Sequence, residues 1–162
     1  MSLEPKILHF LEKDAKISAS SLAIMLEEEE ALVRETIEKL EKQKVILGYS
    51  AIINWEKYGE NGVTAMIDVK VTPERDVGFN DIAARIGRFP EVRSVSLMSG
   101  AYDLSVVVVG KDMREIARFI SHKLSALDRI QSTATHFVLK HYKQEGFVFE
   151  DPEEEKRLVI SP

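Results

Sequence analysis

The spacing of apolar residues changes period part-way along this 162-residue chain, and that change restricts the fold more than any other feature. Up to about residue 44 the apolar positions recur every three to four residues, which gathers them on one face of a helix. Ile7, Leu8 and Leu11 keep that spacing, and Phe10 widens the stripe. Asp14-Ala15-Lys16 breaks it, and Ser18 is then placed to cap a second helix whose buried face is read as Leu22, Ala23, Met25 and Leu26. The acidic run Glu27, Glu28, Glu29 and Glu30 supplies the turn and the start of a third helix, where the helix dipole favours negative charge. Val33, Ile37 and Leu40 continue that helix, and it closes near Lys42 and Lys44 with cations suited to a C-terminus. Three short helices with tight joins are expected to pack as a helix-turn-helix.

Beyond Val45 the period falls towards two. Residues 45–53 read as a turn and a strand bounded by Gly48, and Asn54 to Gly62 as a linker. Residues 63–71 alternate apolar with polar or small side chains and stop at Pro73. A helix is expected from about Gly78 to Gly87, with Phe79, Ile82, Ala83 and Ile86 inward. Residues 92–98 and 104–109 make two strands around a short turn. Asp112 caps a further helix bearing Met113, Ile116, Ala117, Ile120 and Leu124, and residues 130–139 close as a last strand. The order βαββαβ is the ferredoxin-like split unit, so the fold class is α+β. The expected organisation is a helix-turn-helix domain at 1–47, a strand and linker at 48–62, a βαββαβ domain at 63–142, and an acidic extension at 143–162. That extension, with its cluster at Glu150 to Glu155 and its apolar Leu158-Val159-Ile160, reads as a solvated tail whose end docks on its own or a partner subunit.

Composition narrows the chemistry. No cysteine is present, which excludes disulfides and thiolate metal sites. His9, His122, His136 and His141 are scattered without metal-ligand spacing, and His136 and His141 are expected to face opposite ways, so no metal is expected. Gly59-Glu60-Asn61-Gly62 lacks the Lys-Ser/Thr of a phosphate-binding loop, and no nucleophile–base arrangement stands out. No cofactor and no enzymatic role are therefore expected. Apolar runs are too short to span a bilayer and the first residues lack a secretory core, so a cytoplasmic protein without a membrane partner is the expectation.

Net charge is −5, which by itself speaks against nucleic acid, but its distribution matters more. Residues 1–55 carry 7 Lys/Arg against 10 Asp/Glu, residues 56–144 carry 13 against 11, and residues 145–162 carry 2 against 6. The segment with the helix-turn-helix pattern is thus itself acidic. Its third helix offers Arg34, Thr36, Lys39 and Lys42 to a duplex, with Ser18 and Ser20 at the start of the second helix as phosphate contacts. The same helix carries Glu30, Glu35 and Glu38 at pairing distance from those cations, so a solvated, salt-bridged face is the competing reading. Ser18 serves equally as a plain N-cap.

Three linked stretches carry a family resemblance over roughly Lys6 to Tyr142. They are Lys6-Ile7-Leu8 leading to Asp14-Ala15-Lys16-Ile17-Ser18; Leu22-Ala23 with Ile37, Leu40-Glu41 and Val45-Ile46-Leu47-Gly48-Tyr49; and Gly100-Ala101-Tyr102-Asp103-Leu104 followed by Ser132-Thr133-Ala134-Thr135 and Val138-Leu139. In this order the sequence resembles the Lrp/AsnC (feast/famine) transcriptional regulators. The resemblance implies a winged-type helix-turn-helix binding double-stranded DNA and a βαββαβ domain forming homodimers and homo-octamers. It also implies a small effector, commonly an amino acid, bound near Ser99, Gly100, Ala101, Tyr102 and Asp103, with Thr133 and Thr135 as further polar contacts. By the residues alone, Gly100 and Asp103 equally make an ordinary tight connection, and the two threonines equally pack as β-branched residues. Family members usually show small polar residues and several arginines where this chain has Glu29, Glu30, Glu35 and Thr36. That departure keeps two alternatives open: a relative that acts on a tetrapyrrole, like the sirohaem decarboxylases, and an assembly or sensor partner without DNA binding.

Overall fold

The structure, a computed structural model, describes residues 2–60, 62–72 and 78–149. The chain divides into two compact units, Met1–Ile52 and Ile53–Pro162. In the first, α1 (Leu3–Lys13), α2 (Ala19–Leu26) and α3 (Glu30–Lys42) enclose a small core of Ile7, Leu22, Ala23 and Val33, with Phe10, Leu11, Ile17, Leu26 and Ile37 packed against it. The Ser18 hydroxyl accepts the Ser21 N–H at 3.0 Å and so starts α2 as the sequence predicts. α2 ends at Glu27, held in the left-handed region at φ 57°, and the Glu28 N–H returns to the Ala23 carbonyl at 3.0 Å. Met25 departs from expectation: it is 54% exposed. Leu22, Ala23 and Leu26, at i, i+1 and i+4, already fill the inner face of this short helix. Met25 instead edges a groove with Pro5, His9 and Phe10 of α1.

Residues 45–53 form no strand. The Val45 and Ile46 amides both turn back to the Leu40 carbonyl and close α3, and Leu47 is 87% exposed. A strand needs a neighbour to complete its ladder, and no other strand is paired with this segment among the described residues. The expected linker contains a short helix, α4 (Trp55–Tyr58), capped by Asn54 accepting from the Lys57 N–H and ended by Gly59 at φ +94°.

The second unit is a four-stranded antiparallel sheet of β1 (Val63–Val71), β2 (Val92–Leu97), β3 (Leu104–Gly110) and β4 (Ile130–Phe137), in the order β2-β3-β1-β4. Between the strands run α5 (Asn80–Gly87) and α6 (Met113–Phe119), the latter continuing into a π-helical turn (Ile120–Leu124). This is the βαββαβ order of the sequence reading. Alternation along β1 decides which face is which: Ala65, Ile67, Val69 and Val71 are buried with Leu104, Val106 and Val108 beneath Ile82, Ile86, Ile116, Phe119 and Leu124. Thr64, Met66, Asp68 and Lys70 point to the opposite face, which no helix of this unit covers among the described residues.

The π turn re-phases the second helix. Phe119 and Leu124, five residues apart, both reach the core, whereas Met113 and Ala117 are exposed. The sequence reading counts Met113 and Ala117 in this helix's apolar set and passes over Phe119; all three precede the π turn, on the regular part of α6 where Ile116 and Phe119, three apart, form the inner side. Residues 143–149 hold a small hairpin within the expected extension, because β5 (Lys143–Gln144) and β6 (Phe147–Val148) pair around Glu145 and Gly146, both at positive φ, while residues 143–148 stay exposed. The acidic cluster from Glu150, the apolar end beyond it and the strand stop at Pro73 lie outside the described residues.

The inner face of α6 is testable by urea unfolding of the full chain. Ile116→Ala and Phe119→Ala are expected to cost about 2–5 kcal/mol, and Met113→Ala under about 1 kcal/mol. Equal losses at Met113 and Ile116 would mean that the helix turns the other way.

Candidate functional site

The first candidate surface is the α2–α3 pair. Three residues, Glu27 to Glu29, join the two helices, as a reading head requires. Of the six residues marked on the sequence, Ser18, Ser20, Arg34, Lys39 and Lys42 are exposed and Thr36 is partly buried. Every one is engaged within the chain. Arg34 pairs with Glu30, one turn back on α3. Lys42 lies 3.7 Å from Glu38, and Lys39 lies 2.8 Å from Glu4 on α1. The hydrogen bond to Glu4, and then its charge, raise the Lys39 pKa above the ordinary lysine value. Thr36 donates its hydroxyl to the Leu32 carbonyl at 2.7 Å, and the Ser18 hydroxyl is shared among the Ser21 amide and the Ser20 and Ser21 hydroxyls. Exposed pairs of this kind are worth about 0–1 kcal/mol, so a phosphate can displace them. Their presence still makes α3 a neutralised face. Glu30, Arg34, Glu35 and Glu38 line one shallow surface depression.

The second candidate is the turn joining β2 to β3. Ser99, Gly100 and Ala101 are exposed, while Tyr102 and Asp103 are partly buried. Asp103 is fixed from four directions. Its N–H donates to the Val69 carbonyl at 3.0 Å, and its carbonyl accepts the Met98 N–H at 2.9 Å. One carboxylate oxygen accepts the Val71 N–H at 2.9 Å, and the other lies 3.3 Å from the Lys70 ammonium. The Val71 hydrogen bond is the largest cause holding the Asp103 carboxyl below the usual carboxylate range; Lys70 adds to it and desolvation opposes it. Asp103 thus anchors the turn to the end of β1. Gly100 takes φ +148°, and open space surrounds the position a Cβ would occupy, so its backbone angle rather than crowding favours glycine.

Thr133 and Thr135 pair with Val69 and Ile67, which puts both on the helix-covered side, partly buried. Thr133 is separated from Leu104 at the turn by the width of β1. The sheet therefore brings Thr133 to the same end as the turn but not into its loop. Sequence reading missed Lys70, whose pairing with Asp103 spans 33 positions and leaves no local signal. It also missed Arg129, at φ +85°, which donates to the Thr72 and Gly78 carbonyls and ties β1 to the approach to α5. His136 lies 3.2 Å from Asp68 on the uncovered face. No group of three metal-ligating side chains occurs among the described residues, and no helix among them is long and apolar enough to cross a membrane.

Comparison with known proteins bears on both surfaces. Residues 64–148 match the Lrp/AsnC ligand binding domain. The HTH-type transcriptional regulator YugG of Bacillus subtilis is 54% identical over 160 residues, covering 98% of this chain and 96% of its own. Among solved structures, a Neisseria meningitidis transcriptional regulator in complex with L-methionine superposes with a TM-score of 0.70 at 23% identity, covering 89% of this chain and 93% of its own. The leucine response regulatory protein of Mycobacterium tuberculosis gives 0.74 at 20% identity, covering 93% and 100%. At these identities the two structures speak to the fold.

The Asp103 anchor predicts a pH signature with a definite sign. A carboxyl whose pKa is lowered by folding contributes stability that is present at neutral pH and lost as pH falls through the folded value, here below about pH 4. Wild-type unfolding free energy should fall more steeply in that window than that of Asp103→Ala, and the Val71 amide should exchange faster in the variant. Parallel pH profiles with unchanged Val71 exchange would show that the carboxylate anchors nothing.

Proposed function

The chain belongs to the Lrp/AsnC family of transcriptional regulators, and from that premise we propose how its two units divide the work. It is a DNA-binding regulator that responds to a small effector, and the observation that carries this reading is the 54% identity along 98% of the chain to an HTH-type regulator. In our reading the first unit meets double-stranded DNA through Arg34, Lys39, Lys42 and Thr36 of α3 and through Ser18 and Ser20 at the start of α2. The exposure of the three cations supports it, since weak surface pairs exchange readily for phosphates. The pairing also implies modest affinity for each reading head, which an oligomer offsets by presenting several heads at once.

The effector is an amino acid held at the β2–β3 turn. Ser99, Gly100 and Ala101 are exposed, and backbone amides in such a turn suit its carboxylate. Asp103 fixes that loop and holds Lys70 beside it. Thr133 and Thr135 shape the covered side of the sheet behind the turn rather than the loop itself. The subunits pair through the uncovered face, where Met66, Val107, Val109 and Ala134 put apolar surface beside the Asp68–His136 pair. Effector occupancy then shifts the balance between assemblies that differ in DNA affinity, a coupling of about 1–3 kcal/mol in typical allosteric proteins. Such a protein works in the cytoplasm.

Genomic fragments captured by the purified oligomer at about 50 mM and about 200 mM salt test this directly, because phosphate-driven binding weakens steeply across that range. Discrete upstream fragments should be enriched and then weakened by salt, and adding single amino acids should change their retention. An intact oligomer that enriches no fragment at either salt contradicts the proposal.

A further inference from the structure

The outer side of the sensor unit's helical layer carries arginines with no acidic partner. α6 buries Ile116 and Phe119, which leaves Arg114 and Arg118 on its opposite side, both exposed. α5 buries Ile82 and Ile86, and Arg85 together with Arg88 at its C-cap is exposed. None of these four arginines makes an ion pair or a side-chain hydrogen bond among the described residues. The acids of the same layer are already engaged. Asp112 caps α6, Glu115 accepts the Lys111 N–H, Glu91 pairs with Lys123, and Asp81 lies 4.0 Å from Arg129. The contrast with α3 is direct, because there Arg34, Lys39 and Lys42 each have a carboxylate.

Unpaired guanidinium groups on a rigid helix suit phosphate, which they meet with two parallel hydrogen bonds. Residues four apart on a helix are about 6 Å apart along its axis, which puts Arg114 and Arg118 within reach of neighbouring phosphates of one strand. We propose that the face bearing Arg85, Arg88, Arg114 and Arg118 is a second contact for the DNA backbone, so that the assembled protein holds duplex DNA by its sensor units as well as by its reading heads. The proposal rests on the DNA-binding function above and extends it. It assigns much of the phosphate attraction to the basic layer of the sensor unit, leaving the acidic first unit chiefly to read the groove.

The test measures binding of the full chain to a long mixed-sequence duplex over a salt series, for wild type, Arg114→Gln/Arg118→Gln, Arg114→Lys/Arg118→Lys and Arg85→Gln/Arg88→Gln. Each lost phosphate contact lowers the slope of log affinity against log salt by about 0.9. The glutamine pairs should therefore flatten the slope by up to about 2 for each subunit that touches the duplex, and the lysine pair should keep it, with sedimentation unchanged throughout. Unchanged slopes in both glutamine pairs overturn the proposal while leaving the DNA-binding function intact. A changed assembly size overturns it too, since the face then belongs to another copy of the chain. Failure of the wild type itself to bind removes the function and this inference together.

Discussion

Strands β1 and β3 both have neighbours on two sides in the sensor unit's described sheet, and β1, the longer of the two, sets the register on which the rest of the unit depends. Four of its side chains, Ala65, Ile67, Val69 and Val71, are buried, so its register decides which face the helices cover. A slip of one residue would drive Asp68 and Lys70 into that core. The far end of β1 has a second duty. Its last N–H, on Val71, finds its acceptor in the Asp103 carboxylate, and the Val69 carbonyl takes the Asp103 amide. A buried strand end needs such partners, and here the need is met by the loop proposed to hold the effector. Loop geometry and strand termination are therefore one constraint, which is why ligand chemistry and stability meet at Asp103.

The two units differ in how they use charge. Residues 1–52 carry 7 Lys/Arg against 10 Asp/Glu, and the cations of α3 are held by acids on α3 itself or on α1. Such pairs contribute little to folding, but each must open before a phosphate can take the cation. Binding to DNA is then an exchange of partners rather than a gain of new ones. In the sensor unit the exposed arginines of α5 and α6 have no carboxylate partner among the described residues. Carboxylates on α3 also hold a meaning apart from repulsion, because an acidic side chain accepts from the cytosine amino group in the major groove.

The fold was legible where one local pattern decided it. Alternation along residues 63–71, the Ser18 and Asp112 caps, and the helical spacing of Val33, Ile37 and Leu40 all correspond to elements seen. What stayed hidden depended on partners distant in sequence. Residues 45–53 have the composition of a strand but pair with no other strand among the described residues, so they stay irregular and mostly exposed. Met25 has helical periodicity, yet an eight-residue helix has room for only one inner row. The π turn after α6 brings Leu124 inward five residues after Phe119, a spacing no fixed 3.6-residue period foresees. At the candidate sites the residue types were readable but their engagements were not. Asp103, read as bonding within its own turn or meeting an effector, bonds the Val71 amide 32 positions away, and Arg34, read as facing either a duplex or a carboxylate, is paired with Glu30.

The account stands or falls on whether acids on the reading helix restrain DNA binding. The direct measurement is the affinity of Glu30→Gln for duplex DNA at low salt, compared with wild type in the same assembly. Releasing Arg34 should tighten binding roughly two- to fivefold, the factor that about 0.5–1 kcal/mol of an exposed pair represents. Unchanged or weaker binding would contradict it, and would mean that Arg34 does not meet the duplex or that Glu30 itself makes a favourable contact there.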